Sequence, residues 1–190
     1  DTHFDSVTTL PADLVTTGMQ VNKFSGHYVE ISSDPKWFNW DAFDAAVDNY
    51  HGSDFVSIDI DEDRRALPGI LDWIVDALHN QLDIQVDESE LRANVYSTFT
   101  NLQWAHSSGF ADFSESSSGT NSSWEYRTVY AYRQPGDADK FFSMVTTIQL
   151  EADVESESWW WGLVGSTTAT FEATITAEKF GVTKGFKDPA

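Results

Sequence analysis

The sequence predicts an α+β fold, an antiparallel sheet with long C-terminal strands wrapped by layers of amphipathic helices. Three observations predict it. Apolar residues in much of the first half recur every three or four positions, the period of a helix face. Those near the C-terminus alternate with polar ones, the period of a strand. The charge divides along nearly the same line: positions 1–120 hold 21 acids and 5 bases, whereas 121–190 hold 10 acids and 6 bases. A length of 190 residues suits one domain, 1–190, with a helix-rich acidic part at 1–106 and a long-strand part at 107–190.

Positions 21–31 alternate loosely and read as a strand with Gly26 inside it. Pro35 then opens a helix with Trp37, Trp40, Phe43, Val47 and Tyr50 on one stripe, ending near Gly52. Phe55, Val56, Ile58 and Ile60 mark a short strand over 55–60. Pro68 takes a first helical position ahead of Ile70, Leu71, Ile74, Val75, Leu78 and Leu82. Asp87 with Glu90 resembles a capping box that opens a further helix carrying Leu91, Val95, Phe99 and Leu102. A short link around 84–86 makes these two helices a hairpin.

The Ser/Gly-rich stretch 107–123, with Phe110 and Phe113, reads as a short strand plus a loop or as a flexible hairpin. Three period-two runs follow. Trp124, Tyr126, Tyr130 and Tyr132 share one face of the first. The second, 140–154, sets Phe142, Met144, Ile148, Leu150 and Ala152 against Ser143, Thr147, Gln149 and Glu151. The third sets Ala169, Phe171, Ala173 and Ile175 against Thr168, Thr170, Glu172, Thr174 and Thr176. Gln134-Pro135-Gly136-Asp137 and the stretch 158–165 separate the runs, so neighbours pair antiparallel.

The formal net charge of −20 excludes a general nucleic-acid binder, which needs clustered Lys and Arg, and disfavours anionic lipid. With no cysteine there is no disulfide framework, thiolate metal site or cysteine nucleophile. The five histidines (His3, His27, His51, His79 and His106) are scattered and fit no metal-ligand spacing. The acidic run Asp59-Ile60-Asp61-Glu62-Asp63 resembles a calcium loop only superficially. Counted from Asp59, the sixth and twelfth positions hold Arg64 and Ile70 instead of Gly and Glu, so the run reads as a solvated charge cluster. No cofactor, metal or catalytic pairing is expected, and the chain reads as a non-enzyme.

What stands out is physical. The runs of about 12–14 residues exceed the usual strand, and about 9–11 tilted residues cross the hydrocarbon of a bilayer. Apolar on one face and Thr/Ser/Gln/Glu on the other is the pattern of a membrane barrel, and also of any half-buried sheet. Trp159, Trp160 and Trp161 stand together in a connection, either as anchors at a bilayer interface or folded back over a sheet edge.

A series of short stretches in order along the chain resembles the volvatoxin-type mushroom cytolysins and, through them, the Cyt delta-endotoxin family. They are Lys23-Phe24-Ser25-Gly26-His27-Tyr28, Phe43 through Asp48-Asn49-Tyr50, Thr98-Phe99-Thr100-Asn101-Leu102, Asn121-Ser122-Ser123-Trp124-Glu125-Tyr126-Arg127, Val145-Thr146-Thr147-Ile148, Trp160-Trp161-Gly162-Leu163 and Lys184-Gly185-Phe186-Lys187. The resemblance runs from about Phe4 to Pro189. It implies a single Cyt-like α/β domain and a fungal, hemolytic pore-forming toxin, secreted or released and soluble until it meets a membrane. Such a protein is a monomer or weak oligomer in water and self-associates on lipid, here zwitterionic.

By position, the membrane-entering strands correspond to 124–132, 140–154 and 167–177. The candidate insertion residues are Phe142, Met144, Ile148, Leu150, Phe171 and Ile175, with Trp159, Trp160 and Trp161 as interface anchors. The hairpin 68–82 and 87–102 corresponds to the helices linked to assembly, through Ile70, Leu71, Ile74, Leu78, Leu91, Val95 and Phe99. The chain departs from the resemblance at Ser166-Thr167-Thr168-Ala169-Thr170, where lysines suited to heparin-like partners are missing. The alternative is a non-lytic lipid- or glycan-binding module on the same fold.

Overall fold

The computed structural model describes residues 2–33, 35–48, 55–66, 69–115, 122–152, 160 and 171–189, with the backbone alone for 55–66. The elements in chain order are β1 (Asp5–Thr8), α1 (Ala12–Gly26), α2 (Trp40–Asp48), β2 (Phe55–Ala66) and α3 (Ile70–Asp76). Helix α3 runs on into a π-helical turn, Ala77–Gln81. Then come α4 (Glu88–Phe99), α5 (Leu102–Ser107), β3 (Ala111–Glu115), β4 (Ser122–Arg133), β5 (Lys140–Ala152) and β6 (Phe171–Thr183). Among the described residues the strands form one sheet in the order β1-β4-β5-β6-β2, with β3 also on β4. The pairings β4–β5, β5–β6 and β6–β2 are antiparallel, and only the short β1 runs parallel to its neighbour.

Side chains alternate across β4, β5 and β6, and both faces are covered. On one face Trp124, Tyr126, Tyr130, Met144, Ile148 and Ile175 are buried with residues of α3, α4 and α5. On the other, Val129, Phe141, Val145, Phe180 and Val182 are buried with Phe4, Leu14, Val21, Phe24 and Phe43 from β1, α1 and α2. The face read as polar is thus polar only at one end. At the other end it is the floor of a second core, because Phe141, Val145, Phe180 and Val182 fall among its Ser, Thr and Glu residues.

Several boundaries differ from the sequence reading. Positions 21–26, expected in a strand, are the last turns of α1. Leu14, Thr17, Gly18, Val21, Asn22 and Ser25 are buried at helical spacing, and the Ser25 hydroxyl donates to the Val21 carbonyl 2.9 Å away. The stretch 27–31 is turn, with one bridge from Val29 to Phe38. Helix α2 starts at Trp40 instead of Pro35, since Asn39 caps it by accepting from the Ala42 N–H at 3.0 Å. Residues 49–52 lie outside the described residues, as does Pro68, and α3 begins after Gly69 (φ 65°).

Strand β2 runs to Ala66, so the acidic run 59–63 is strand and no calcium loop; the edge of β6 supplies the backbone partners that hold it extended. Asp87 caps α4 through the Ser89 N–H at 3.3 Å. The helix expected to reach Leu102 breaks at Thr100–Asn101, where Asn101 caps α5. Strand β6 continues past Ala177 to Thr183, because Phe180 and Val182 carry the alternation on beneath α1 and α2. Residues 153–154 and 167–170 lie outside the described residues.

A sheet with two roofs makes a specific prediction for stability. Ile148→Ala, under α3 and α4, should cost about 2–5 kcal/mol, and Phe141→Ala, on the opposite face, about 3–5 kcal/mol. Equilibrium denaturation measures both. A Phe141→Ala cost below about 1 kcal/mol would mean that the second face is not a packed core.

Candidate functional site

The predicted insertion residues come together. Met144, Ile148, Leu150 and Ile175 are buried on one face of β5 and β6, and Phe142 and Phe171 are half-buried at its margins. Ile148 stands in register with Ile175, and Leu150 with Ala173. The predicted assembly residues form the lid over them: Ile70, Leu71, Ile74, Leu78, Leu91, Val95 and Phe99 are all buried in the same core. The two sets are opposite halves of one apolar interface, with α3 lying over β6 and against α4.

A small polar latch sits inside this interface. The Asn94 amide of α4 donates to the Tyr126 hydroxyl at 3.0 Å and accepts from the Tyr130 hydroxyl at 2.8 Å. Tyr126 in turn donates to Asp5 of β1 at 2.6 Å. Burial pushes both phenols above the ordinary tyrosine range, with the Asp5 carboxylate a further cause, so they remain neutral donors. Every polar group of the latch has a partner while helix and sheet are together, and separating them exposes all three side chains at once.

Trp160 is 3% exposed, so in this state it is core. Its indole N–H donates to the Ser122 hydroxyl at 2.8 Å, and its ring lies 6.5 Å from Trp124 and 6.4 Å from Phe171. Trp159 and Trp161 lie outside the described residues. The exposed indole among the described residues is that of Trp104 on α5, 47% exposed and edge-on to Phe110 at 5.8 Å. Sequence reading passed over it; its one signal is an apolar residue two positions after Leu102, off the buried stripe.

The opposite face carries a charged cluster that periodicity does not reveal. Arg127 of β4 has a fully buried side chain, and its guanidinium bonds to Asp112 at 2.6 Å and Glu125 at 2.9 Å. It also donates to the carbonyls of His3, Lys36 and Gly109, at 3.0, 3.1 and 3.0 Å. One side chain thus pins the N-terminal segment, the 35–39 segment and the start of β3 to the sheet. Glu125 accepts the Phe38 N–H at 2.8 Å. Burial raises its pKa to about 7, against the lowering effect of Arg127. Two carboxylates share one guanidinium, Asp112 at the edge nearer to water and Glu125 the more deeply buried.

Among the described residues there is no group of three or more His, Asp or Glu side chains placed to hold a metal ion. No helix among them is long and apolar enough to cross a membrane.

Long antiparallel strands enclosed between two helical layers are the Cyt toxin fold. Two solved structures share it with this chain. A structure described as a delta-endotoxin superposes with a TM-score of 0.77 at 10% identity, covering 99% of this chain and 84% of the other. The activated Cyt2Ba monomer from Bacillus thuringiensis subsp. israelensis gives a TM-score of 0.75 at 10% identity, covering 96% of this chain and 98% of the other. No protein-family model matches the sequence, and no curated protein matches it at a significant level.

Glu125 makes the fold pH-sensitive in a defined direction. Its ionised form is disfavoured by folding, so its contribution to stability is greatest below the ordinary carboxylate range and is lost as the pH rises through about 7. Compared with Glu125→Gln at each pH, the native chain should gain on the order of 3 kcal/mol in stability between pH 8 and 4.5. Denaturant midpoints across that range give the difference. A difference that is flat or of opposite slope would contradict the assignment.

Proposed function

We propose that the protein is a pore-forming cytolysin of the volvatoxin and Cyt kind, acting on bilayers without cofactor or covalent chemistry. The observation that carries this reading is the interface between the helical lid and the apolar faces of β5 and β6. These strands have 13 residues each, more than the roughly 9–11 needed to span hydrocarbon at a tilt. Over Ile148–Ala152 and Phe171–Ile175 their covered face is apolar, so lipid can replace the helices there; Thr146, and Lys179 opposite Met144 and over the Phe142 ring at 4.4 Å, mark its polar end. The resemblance along the whole sequence and the shared fold support the same reading.

In this mechanism a soluble, secreted monomer meets zwitterionic lipid through apolar and aromatic side chains. Trp104 is available at once, whereas Trp160 becomes an anchor only after it leaves Ser122 and the core. The lid of α3 and α4 then swings away, breaking the Asn94 latch. Strands pair between protomers, so that no backbone edge is left open in hydrocarbon. Ile148, Leu150 and Ile175 face lipid. Water is lined by Thr147, Gln149, Thr174 and Thr176, the polar end of the second face, and α1 and α2 must also leave for the strands to close around it.

The latch and the burial of Trp160 favour one other reading, a lipid- or glycan-binding module whose lid never opens. A cysteine pair joining α3 to β6 separates the two, and the native chain has no cysteine to interfere. The native protein should release small dyes from phosphatidylcholine vesicles and retain dextrans above a size limit. The oxidised pair should bind vesicles without leakage, and reductant should restore it. No leakage by the native chain at any lipid composition would overturn the pore-forming reading.

A further inference from the structure

We infer that the cleft between the 37–40 segment and the sheet binds a compact quaternary ammonium group, either free or as the headgroup of a choline lipid. The cleft has a volume of about 250 Å³. That is below the roughly 300–1,000 Å³ of clefts for drug-sized ligands and suits one small group. Trp37, Phe38 and Trp40 supply the wall on one side, and Glu125, Gln149 and Thr174 supply part of the floor.

The strand register explains why these residues meet. Glu125, Gln149 and Thr174 are directly opposed on β4, β5 and β6, and Arg127, Thr147 and Thr176 form the next row on the same face. The aromatic wall is fixed to that floor by two bonds: Trp40 Nε1–H donates to Thr147 at 2.9 Å and the Phe38 N–H donates to Glu125. Phe38 and Trp40 stand edge to face with centroids 4.7 Å apart. The site is therefore assembled before any ligand arrives.

Charge selects the ligand. Glu125 is about nine-tenths buried, and both of its hydrogen bonds, from Phe38 and Arg127, fall on Oε1. Oε2 takes part in neither bond, and the residue lines the cleft. Because Asp112 already balances Arg127, an ionised Glu125 leaves one negative charge beside three aromatic rings. Aromatic faces attract cations through their quadrupole, most strongly where water is excluded, and quaternary ammonium is the cation they hold best because it needs no hydrogen bonds. A sugar could meet the amide and hydroxyls of the floor but brings no positive charge to Glu125, and this is the difference that the glucose control reads. The net charge of −20 adds a field that concentrates cations.

Glu125 must be ionised to hold the cation, so binding is pH-dependent. The groups facing it are Arg127 on its own strand, Asp112 on β3 and, through Arg127, His3 of the N-terminal segment, whose pKa is lowered by burial and by Arg127. Across the sheet, Arg64 and Glu62 of β2 occupy the two rows by backbone register. With the Glu125 pKa near 7, affinity should fall several-fold from pH 8 to pH 6.

The test is titration of the full chain, by calorimetry or NMR, with choline chloride and with tetramethylammonium. The uncharged isostere 3,3-dimethylbutan-1-ol and glucose serve as controls. Both cations should saturate one site with a Kd on the order of 1 mM, and neither control should. Trp37→Ala, at a half-exposed position, and Glu125→Gln, which keeps side-chain shape, should each weaken binding about tenfold while far-UV circular dichroism is unchanged. Cation binding that survives both substitutions, or equal binding of the uncharged isostere or glucose, would overturn the proposal.

Flotation with phosphatidylcholine vesicles distinguishes the sources: competition by excess choline identifies the lipid headgroup, and indifference to choline identifies the free cation. The lipid case rests on the pore-forming reading, and the two fail separately. Leakage without choline binding removes the cleft and leaves the pore. Choline binding without leakage does the reverse.

Discussion

Burial of both faces of three long strands is the constraint from which the rest of the structure follows. β4, β5 and β6 have 12, 13 and 13 residues, with large apolar side chains on each face. Strands of that length cannot be shielded by one helix of ordinary size. The chain answers with α3, α4 and α5 on one side and α1 and α2 on the other. The C-terminal tail reinforces the second roof, with Phe186 buried there and the N–H groups of Gly185 and Asp188 donating to Thr17 and Gln20 of α1 at 3.2 and 3.0 Å. Each roof meets the sheet largely through side-chain packing, whereas the strands are tied to one another by their backbone ladders.

The two interfaces differ in their polar content, which bears on which one opens. The bonds that α4 itself makes to the sheet are neutral, an amide to two phenols, and can be exchanged for water at modest net cost; the Tyr126 bond to the Asp5 carboxylate lies between β4 and β1 and does not depend on the helix. Beneath the N-terminal segment they are ionic, and Arg127 holds three separate stretches of backbone. Withdrawing partners from a buried guanidinium costs far more than opening a neutral bond. In the proposed mechanism the α3–α4 lid, the roof without ionic ties to the sheet, is the first to leave. Folding favours the neutral form of Glu125, so protonating it as the pH falls through about 7 does not loosen the N-terminal roof.

Much of this was legible in the sequence, for identifiable reasons. Period-two runs at Trp124, Met144 and Ile175 marked the strands, and the stripes at Ile70–Leu78 and Leu91–Phe99 marked the lid, because a buried face imposes its period on the side chains. The errors arose where a neighbour overrides the local pattern. The loose alternation of 21–31 comes from the residues after Gly26, whereas Val21 and Phe24 stand three apart, the spacing of the helix they close; Asp59–Asp63 is extended because β6 lies beside it. The Glu125–Arg127–Asp112 cluster was beyond sequence reasoning altogether: two of its members are two residues apart, but the third and all the backbone partners come from distant segments. Trp160 shows the same limit, since nothing in three consecutive tryptophans says that Ser122 awaits the middle indole.

In the proposed mechanism the strand faces exchange helix for lipid on one side and helix for water on the other. Environment-sensitive fluorophores placed singly at Ile148 and Gln149, neighbours pointing to opposite faces, test it most directly on phosphatidylcholine vesicles. The probe at 148 should move into hydrocarbon and be quenched by a lipid-borne quencher. The probe at 149 should become accessible to an aqueous quencher on the same time course as leakage. Leakage during which the probe at 148 remains as shielded from lipid as in the soluble protein would contradict it.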